Sequence, residues 1–478
     1  MTIEEHIVLQ YALPRFNRED ASWWWCEEVG CQGQVNWDRV LELALFHDVL
    51  PSVYRNLEDT GWLAVPDDAV RKFREKWHQH LARNLILSHE LDRVLELFAK
   101  RGVKAIPLKG VLLAGLFYPD ITLRSFSDLD IWVRPMDLKE AGEILRQTGY
   151  EPRFTLDQDY TADRDYSVEN VCDILFHRCL PQGSRIGIEL HRCLAKPRDY
   201  PAIPEEKWWH QAQEVRINGQ LYFSLAPEDM LIYLALKIHA SAYCYLKQFV
   251  DLYQIISLLG NKLNWKYIRR TAQETRMVNN LSFALLTIRH LFGSYTIQHA
   301  SPQHSSYMAY NGSPHDNSYT TYHGSHTPRH SSYKTQHEIE HQSVRPFIEH
   351  DQSVSPFIEH DQSVSPIMGA LRLHLLKRIF NRQTILSGRY GRDLRRGFCL
   401  LLNDRLTDSI TSSLRTLFPS TGAICARYLI LPHSKKVYLY CCLNPFLVMY
   451  WLIRGILVKS SDGDGLGALL GPVNQESR

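Results

Sequence analysis

Residues 293–366 divide this chain more sharply than any other feature, because they cannot form a packed core. The stretch is rich in Ser, His, Tyr, Gln and Thr and poor in aliphatic side chains. It ends in tandem decamers, Gln342 to Asp351 (QSVRPFIEHD) and Gln352 to Asp361 (QSVSPFIEHD), with a partial third copy from Gln362. A segment that buries so little apolar surface cannot offset its ordering entropy, so a disordered insert is expected. Its many histidines show no tight, fixed spacing of the kind a zinc site needs. Any core must therefore be built from the sequence on either side.

Ahead of the insert, helical periodicity comes first. Leu87, Leu91, Val94, Leu95 and Phe98 form an apolar stripe at helical spacing, with Gly102 placed to end the helix. The Trp23-Trp24-Trp25 cluster reads as core or docking surface. The character then changes: Val103 to Leu108 (VKAIPL) is strand-like and ends in Lys109-Gly110, and VLLAGLFY is a buried helix closed by Pro119. Leu129 to Val133 (LDIWV) is a second strand. Asp137 and Glu140 have capping-box spacing for a helix carrying Leu138, Ala141, Ile144 and Leu145, ended by Gly149. Asp173 to Cys179 and Arg185 to His191 flank the turn Pro181-Gln182-Gly183-Ser184, a hairpin pattern. Helices return at Pro227 and run through Leu259, then from Trp265 to Phe292.

This order predicts an α+β fold with a small mixed β-sheet covered by helices. The expected divisions are a helical N-terminal region (1–101), the sheet core (102–224), a helical domain (225–292), the insert (293–366) and a C-terminal helical region (367–478). In the last, Arg372 to Arg396 is strongly basic, either as a solvated face or as an anion-binding surface. Val437 to Val458 is the one stretch long enough to suggest a membrane span. It contains Asn444, Pro445 and Arg454, so a buried or membrane-surface helix fits better.

Lys plus Arg (54) nearly balances Asp plus Glu (52), which removes a global charge argument for a nucleic-acid coat or an acidic partner. No base-reading motif is visible, so sequence-specific nucleic acid is not an expected partner. The ten cysteines form no CxxC pair and are expected to be buried free thiols in a reducing compartment. The opening MTIEEHIVLQYALPRF has no secretory pattern, and the cytoplasm is the expected location.

The chemistry concentrates in Leu108 to Val133, LKGVLLAGLFYPDITLRSFSDLDIWV. Asp128 and Asp130 sit two apart at the mouth of a strand, so both carboxylates point to one face. Side by side they repel, and they stay ionised only with cations nearby. Hard divalent metals such as Mg2+ or Mn2+ meet that need. Glu189, in RIGIELH, is the candidate third carboxylate on a neighbouring strand. Lys109-Gly110 places a phosphate-seeking cation and backbone N–H groups at the start of a helix. Arg124 can neutralise a triphosphate or pair with an aspartate. His177 and His191, on the hairpin, read as structural.

LKG, a Tyr-containing apolar run, LRSFSDLDIWV, a helix ending in TGY and a later IELH together resemble a bacterial family of uncharacterised nucleotidyltransferases. That family belongs to the DNA polymerase beta-like superfamily of minimal nucleotidyltransferase folds. The resemblance covers most of 36–290 and, more loosely, 367–455. It implies that Asp128 and Asp130 bind catalytic metals, and that Glu189 is a third acidic ligand or the base that activates the acceptor. It also places Gly110 at the superfamily's glycine-serine phosphate turn. Here the turn reads Lys109-Gly110-Val111, without the serine, and Lys109 and Arg124 are the candidates to replace it. The implied activity is transfer of a nucleoside monophosphate from an NTP to a hydroxyl on a small molecule or protein. Two alternatives stay open: a catalytically inactive nucleotide- or protein-binding module of the same fold, and a membrane-surface protein.

Overall fold

The computed structural model describes residues 2–14, 35–153, 172–180, 183, 185–195, 203–292, 436, 438–440 and 442–446. The Trp23–Trp25 cluster, the insert and the Arg372–Arg396 region lie outside them, as does most of Val437–Val458. No helix among the described residues is long and apolar enough to cross a membrane.

Four helices lead into the sheet: α1 (Ile3–Tyr11), α2 (Trp37–Phe46), α3 (Leu50–Asp59) and the 34-residue α4 (Asp67–Lys100). The apolar stripe of α4 is buried as its spacing requires, with Leu87, Leu91, Val94 and Phe98 all in the core. Polar side chains of α4 reach further. Asn84 donates to the Arg124 carbonyl at 2.9 Å, and Arg83 donates to the Ser127 carbonyl. Further along, Glu90 pairs with Arg178 and accepts a hydrogen bond from the Tyr150 hydroxyl.

The sheet has five strands in the order β1-β2-β5-β4-β3. These are β1 (Ala105–Pro107), β2 (Leu129–Val133), β3 (Glu151–Arg153), β4 (Asp173–Cys179) and β5 (Arg185–His191). Only the β2–β5 pair is parallel; β1 lies antiparallel to β2, and β4 antiparallel to both β5 and β3. The mixed sheet and the β4–β5 hairpin agree with the sequence expectation. α5 (Val111–Phe117) connects β1 to β2, and α6 (Leu138–Gln147) connects β2 to β3.

Several local expectations need correction. The Asp137–Glu140 capping box does not form; Pro135–Asp137 make a 3-10 turn instead, and Asp137 makes no side-chain cap bond. Cys172 and Cys193 are joined by a disulfide, with Cα atoms 5.1 Å apart, where free thiols were expected. The hairpin register explains it: Asp173 lies opposite His191, so the cysteines flanking that pair emerge together. A second hairpin, β6 (Gln213–Ile217) and β7 (Gln220–Ser224), follows α7 (Glu205–Gln211) and was not foreseen. Its two-residue turn is Asn218-Gly219, both at positive φ, the strongest short-range hairpin signal a sequence carries.

The helices after the sheet are α8 (Pro227–Ala240), α9 (Leu246–Leu259), α10 (Trp265–Glu274) and α11 (Val278–Phe292). α8 and α9 are largely apolar and sit in the core, with Leu231, Ile232, Tyr233, Leu252 and Ile255 fully buried.

Candidate active site

The parallel pairing of β2 with β5 sets Asp130 directly beside Glu189 and Trp132 beside His191. Residues opposite each other on paired strands share a face, so two carboxylates and an imidazole converge at one point. Asp130 is buried, with a side chain 3% exposed, whereas the Glu189 side chain is 33% exposed. His191 Nε2 lies 2.9 Å from Asp130 Oδ1 and 3.5 Å from Glu189 Oε2. The other Asp130 oxygen receives the Lys109 ammonium at 2.9 Å. Asp128 sits just ahead of β2, its carboxylate 3.4 Å from its neighbour Ser127 Oγ.

Charge decides how these groups ionise. Burial alone would raise Asp130, but Lys109 and the His191 hydrogen bond hold it far below the usual carboxylate range. Asp128 goes the other way, raised first by burial and then by the negative charge of Asp130. Burial opposes charge on His191 and on Lys109, yet the surrounding carboxylates lift both above their ordinary values. One buried acid is thus firmly ionised while its neighbour resists ionisation, as expected of like charges sharing a small volume.

The donor set fits a divalent cation. One ligand atom each from Asp130, Glu189 and His191 lie within 4.8 Å of one another; the carboxylate oxygens suit Mg2+ or Mn2+, whereas the imidazole suits zinc and similar ions. The Lys109 ammonium against Asp130 shows that the position already favours positive charge. His191, read from sequence as structural, belongs to this convergent set; Asp128 adjoins it.

The remaining sequence candidates divide. Lys109 reaches the acids. Gly110 caps α5 at φ +56 and ψ −118, a region open to glycine and strained for other residues. Arg124 does not reach into the acidic cluster as a free cation. It is buried, and its guanidinium forks onto both oxygens of Asp251 on α9, at 2.7 and 2.8 Å. Tyr118 donates to the same carboxylate at 2.6 Å, and Arg124 also donates to the Gly110 carbonyl at 3.3 Å. The fork therefore fastens the Lys109-Gly110 turn and the segment before Asp128 to α9.

α8 supplies two neighbours that the sequence did not single out. Tyr233 and Lys237, one turn apart, carry charges or dipoles that act on Lys109, Asp130 and Glu189. Burial, then the Lys109 charge, lowers the Lys237 ammonium; burial raises the Tyr233 phenol well above its ordinary value, so it remains a donor. Asp229, Tyr233 and Lys237 recur every four residues and so share one face of this otherwise largely apolar helix.

A solved structure of an antigenic nucleotidyltransferase-like protein from Paracoccidioides brasiliensis is similar at 16% identity, covering 43% of this chain and 86% of that chain. Its TM-score of 0.29 is too low to carry an argument. No curated protein matches the chain. Residues 33–293, more than half of the sequence, match the family described as uncharacterised nucleotidyltransferases, while the looser likeness expected over 367–455 falls outside that match. Sheet, acidic strand end and sequence match thus converge, and the chain belongs to the uncharacterised nucleotidyltransferase family.

Proposed function

We propose that this protein transfers a nucleoside monophosphate from an NTP to a hydroxyl on a small molecule or protein, using Mg2+ or Mn2+ held by Asp128, Asp130 and Glu189. The observation that carries the reading is the parallel register that seats Asp130 beside Glu189 in a chain of this family. When bound, the cation supplies charge neutralisation of phosphate oxygens and acidifies an adjacent hydroxyl. Everything else falls to side chains.

His191 orients Asp130 and Glu189 through the ring nitrogen they share. Glu189, the more exposed of the two, accepts the proton of the attacking hydroxyl. Lys109 is placed to pair with a phosphate of the incoming nucleotide. The acceptor oxygen forms a bond to the alpha phosphorus as the bond to pyrophosphate breaks, and positioning and charge supply most of the rate.

A second reading, nucleotide binding without transfer, draws on the engagement of both Asp130 oxygens by Lys109 and His191. Thermal unfolding with each of the four NTPs, with and without Mg2+ or Mn2+, tests the site, and release of pyrophosphate tests the transfer. One NTP at ~100 times its dissociation constant should stabilise the protein by ~2.7 kcal/mol in a metal-dependent way. An Asp128→Asn/Asp130→Asn double variant should lose that gain. An equal gain in the double variant overturns the site. Binding without pyrophosphate release, across a panel of hydroxyl acceptors, favours the second reading.

A further inference from the structure

His191 adds a nitrogen donor to the two acids, at separations typical of ligands on one ion. Its Nε2 lies 2.9 Å from Asp130 Oδ1 and 3.5 Å from Glu189 Oε2. With metal–ligand bonds of about 2.1 Å, neighbouring ligands stand about 3.0 Å apart in an octahedron and about 3.4 Å in a tetrahedron. Paired strands fix all three donors. Asp130 belongs to β2, and Glu189 and His191 lie two residues apart on one face of β5, in parallel register with it. Lys109 takes Asp130 Oδ2 at 2.9 Å, so the oxygen nearest the imidazole, Oδ1, is the one left to a second cation. The Glu189 side chain is 33% exposed, which opens the set to solvent and gives an ion its way in.

We propose that His191 Nε2 is itself a metal ligand, and that the ion on Asp130 and Glu189 is therefore a transition-metal ion such as Mn2+, Co2+ or Zn2+ in preference to Mg2+. Mg2+ keeps to carboxylate, phosphate and water oxygens, whereas an imidazole moves the preference toward the first-row transition ions. On binding, the ion replaces the hydrogen shared by Nε2 and Oδ1, and that proton leaves to solvent. His191 then does more than orient the two acids. The inference rests on the metal in the nucleotidyl-transfer reading above, and it narrows the choice of that metal.

The test uses Mn2+, which is paramagnetic and, lowest in the affinity series, is the ion that the many histidines of 293–366 should retain least. The full-length chain, stripped of metal, is titrated with Mn2+ and with Mg2+, and the electron spin echo of bound Mn2+ is read for coupling to a directly bound nitrogen. Wild type is compared with His191→Gln and Asp130→Asn, and each unfolding midpoint is recorded. Wild type should show the coupling and bind Mn2+ at least about tenfold more tightly than Mg2+. His191→Gln should lose the coupling and weaken Mn2+ by about tenfold or more, with Mg2+ affected far less. A histidine that only oriented the acids would give no coupling and would weaken both ions alike.

Bound Mn2+ without nitrogen coupling in wild type overturns the inference and leaves the transfer reading, with an ion held by carboxylates, intact. Coupling that persists in His191→Gln puts the nitrogen elsewhere and overturns it too. Where His191→Gln does not fold, coupling lost in Asp130→Asn supports the inference and coupling that survives there overturns it. Binding of neither ion overturns both this inference and the metal of the transfer reading. Nitrogen coupling as expected, with no pyrophosphate released from any NTP, upholds the ligand and overturns the transfer.

Discussion

Two clusters of buried charge flank the Lys109-Gly110 turn, and they are built on opposite terms. On one side the Arg124 guanidinium meets both oxygens of Asp251, Tyr118 closes on the same carboxylate, and the leftover guanidinium donor finds a backbone carbonyl. On the other, Asp128, Asp130 and Glu189 crowd together with Lys109 as their one direct ammonium partner among the described residues, while the buried Tyr233 hydroxyl has no hydrogen-bond partner. The first cluster is saturated and the second is short of partners. Saturation holds a shape; shortage of partners marks the place where a ligand completes the arrangement.

Removing Asp251 should give the largest effect. Asp251→Ala strands a buried guanidinium and should cost about 3–5 kcal/mol in chemical denaturation, with the acidic cluster losing its backing as well. A loss below about 1 kcal/mol would mean that water reaches Arg124 readily, and the contrast would fail.

Asp229 offers an intermediate case. It is buried on α8, one oxygen accepts from the Tyr267 hydroxyl at 2.8 Å, and the other has no partner. Burial pushes its carboxyl up to about 7. The folded protein therefore holds a proton that the unfolded chain releases near pH 4, so stability should fall as pH rises from about 4 to 7 and level off above. Asp229→Asn should flatten that slope and gain on the order of 2–4 kcal/mol at pH 8, measured by denaturation across pH. A variant with the wild-type slope would assign the pH dependence elsewhere.

The smallest effect belongs to Asp128. Relieving its repulsion with Asp130 through Asp128→Asn should stabilise the metal-free protein by roughly 1 kcal/mol at neutral pH, the reverse of the usual result for a buried charge. Saturating Mg2+ should erase or invert the gain. A destabilised metal-free variant would show that Asp128 has partners enough already.

How far these clusters could be read in the sequence follows from their chain separation. Asp128, just ahead of β2, and Asp130, within it, lie two residues apart, and the β4–β5 pattern carried Glu189 to the neighbouring position. Both elements have the bounds that their sequence suggests. His191 sits two residues after Glu189 on the same face, and strand alternation alone could have included it. The Asp251 partner could not be found this way, because 127 residues separate it from Arg124. Tyr233 and Lys237 could have been found: with Asp229 they recur every four residues, a polar stripe along one face of an otherwise apolar helix. The Cys172–Cys193 bridge spans 21 residues and becomes visible only once the hairpin register is fixed.

The Arg124–Asp251 fork also sets an order in time. The acidic loop leaves the ribosome well before α9 exists, and at 5–20 residues per second the 127-residue interval lasts roughly 6–25 s. During that interval Arg124 has no Asp251, and the apolar α8–α9 pair is incomplete. The nascent chain thus carries an unpartnered cation for many seconds, a natural point of engagement for chaperones. The candidate site can assemble only after the helix that fastens it has been made.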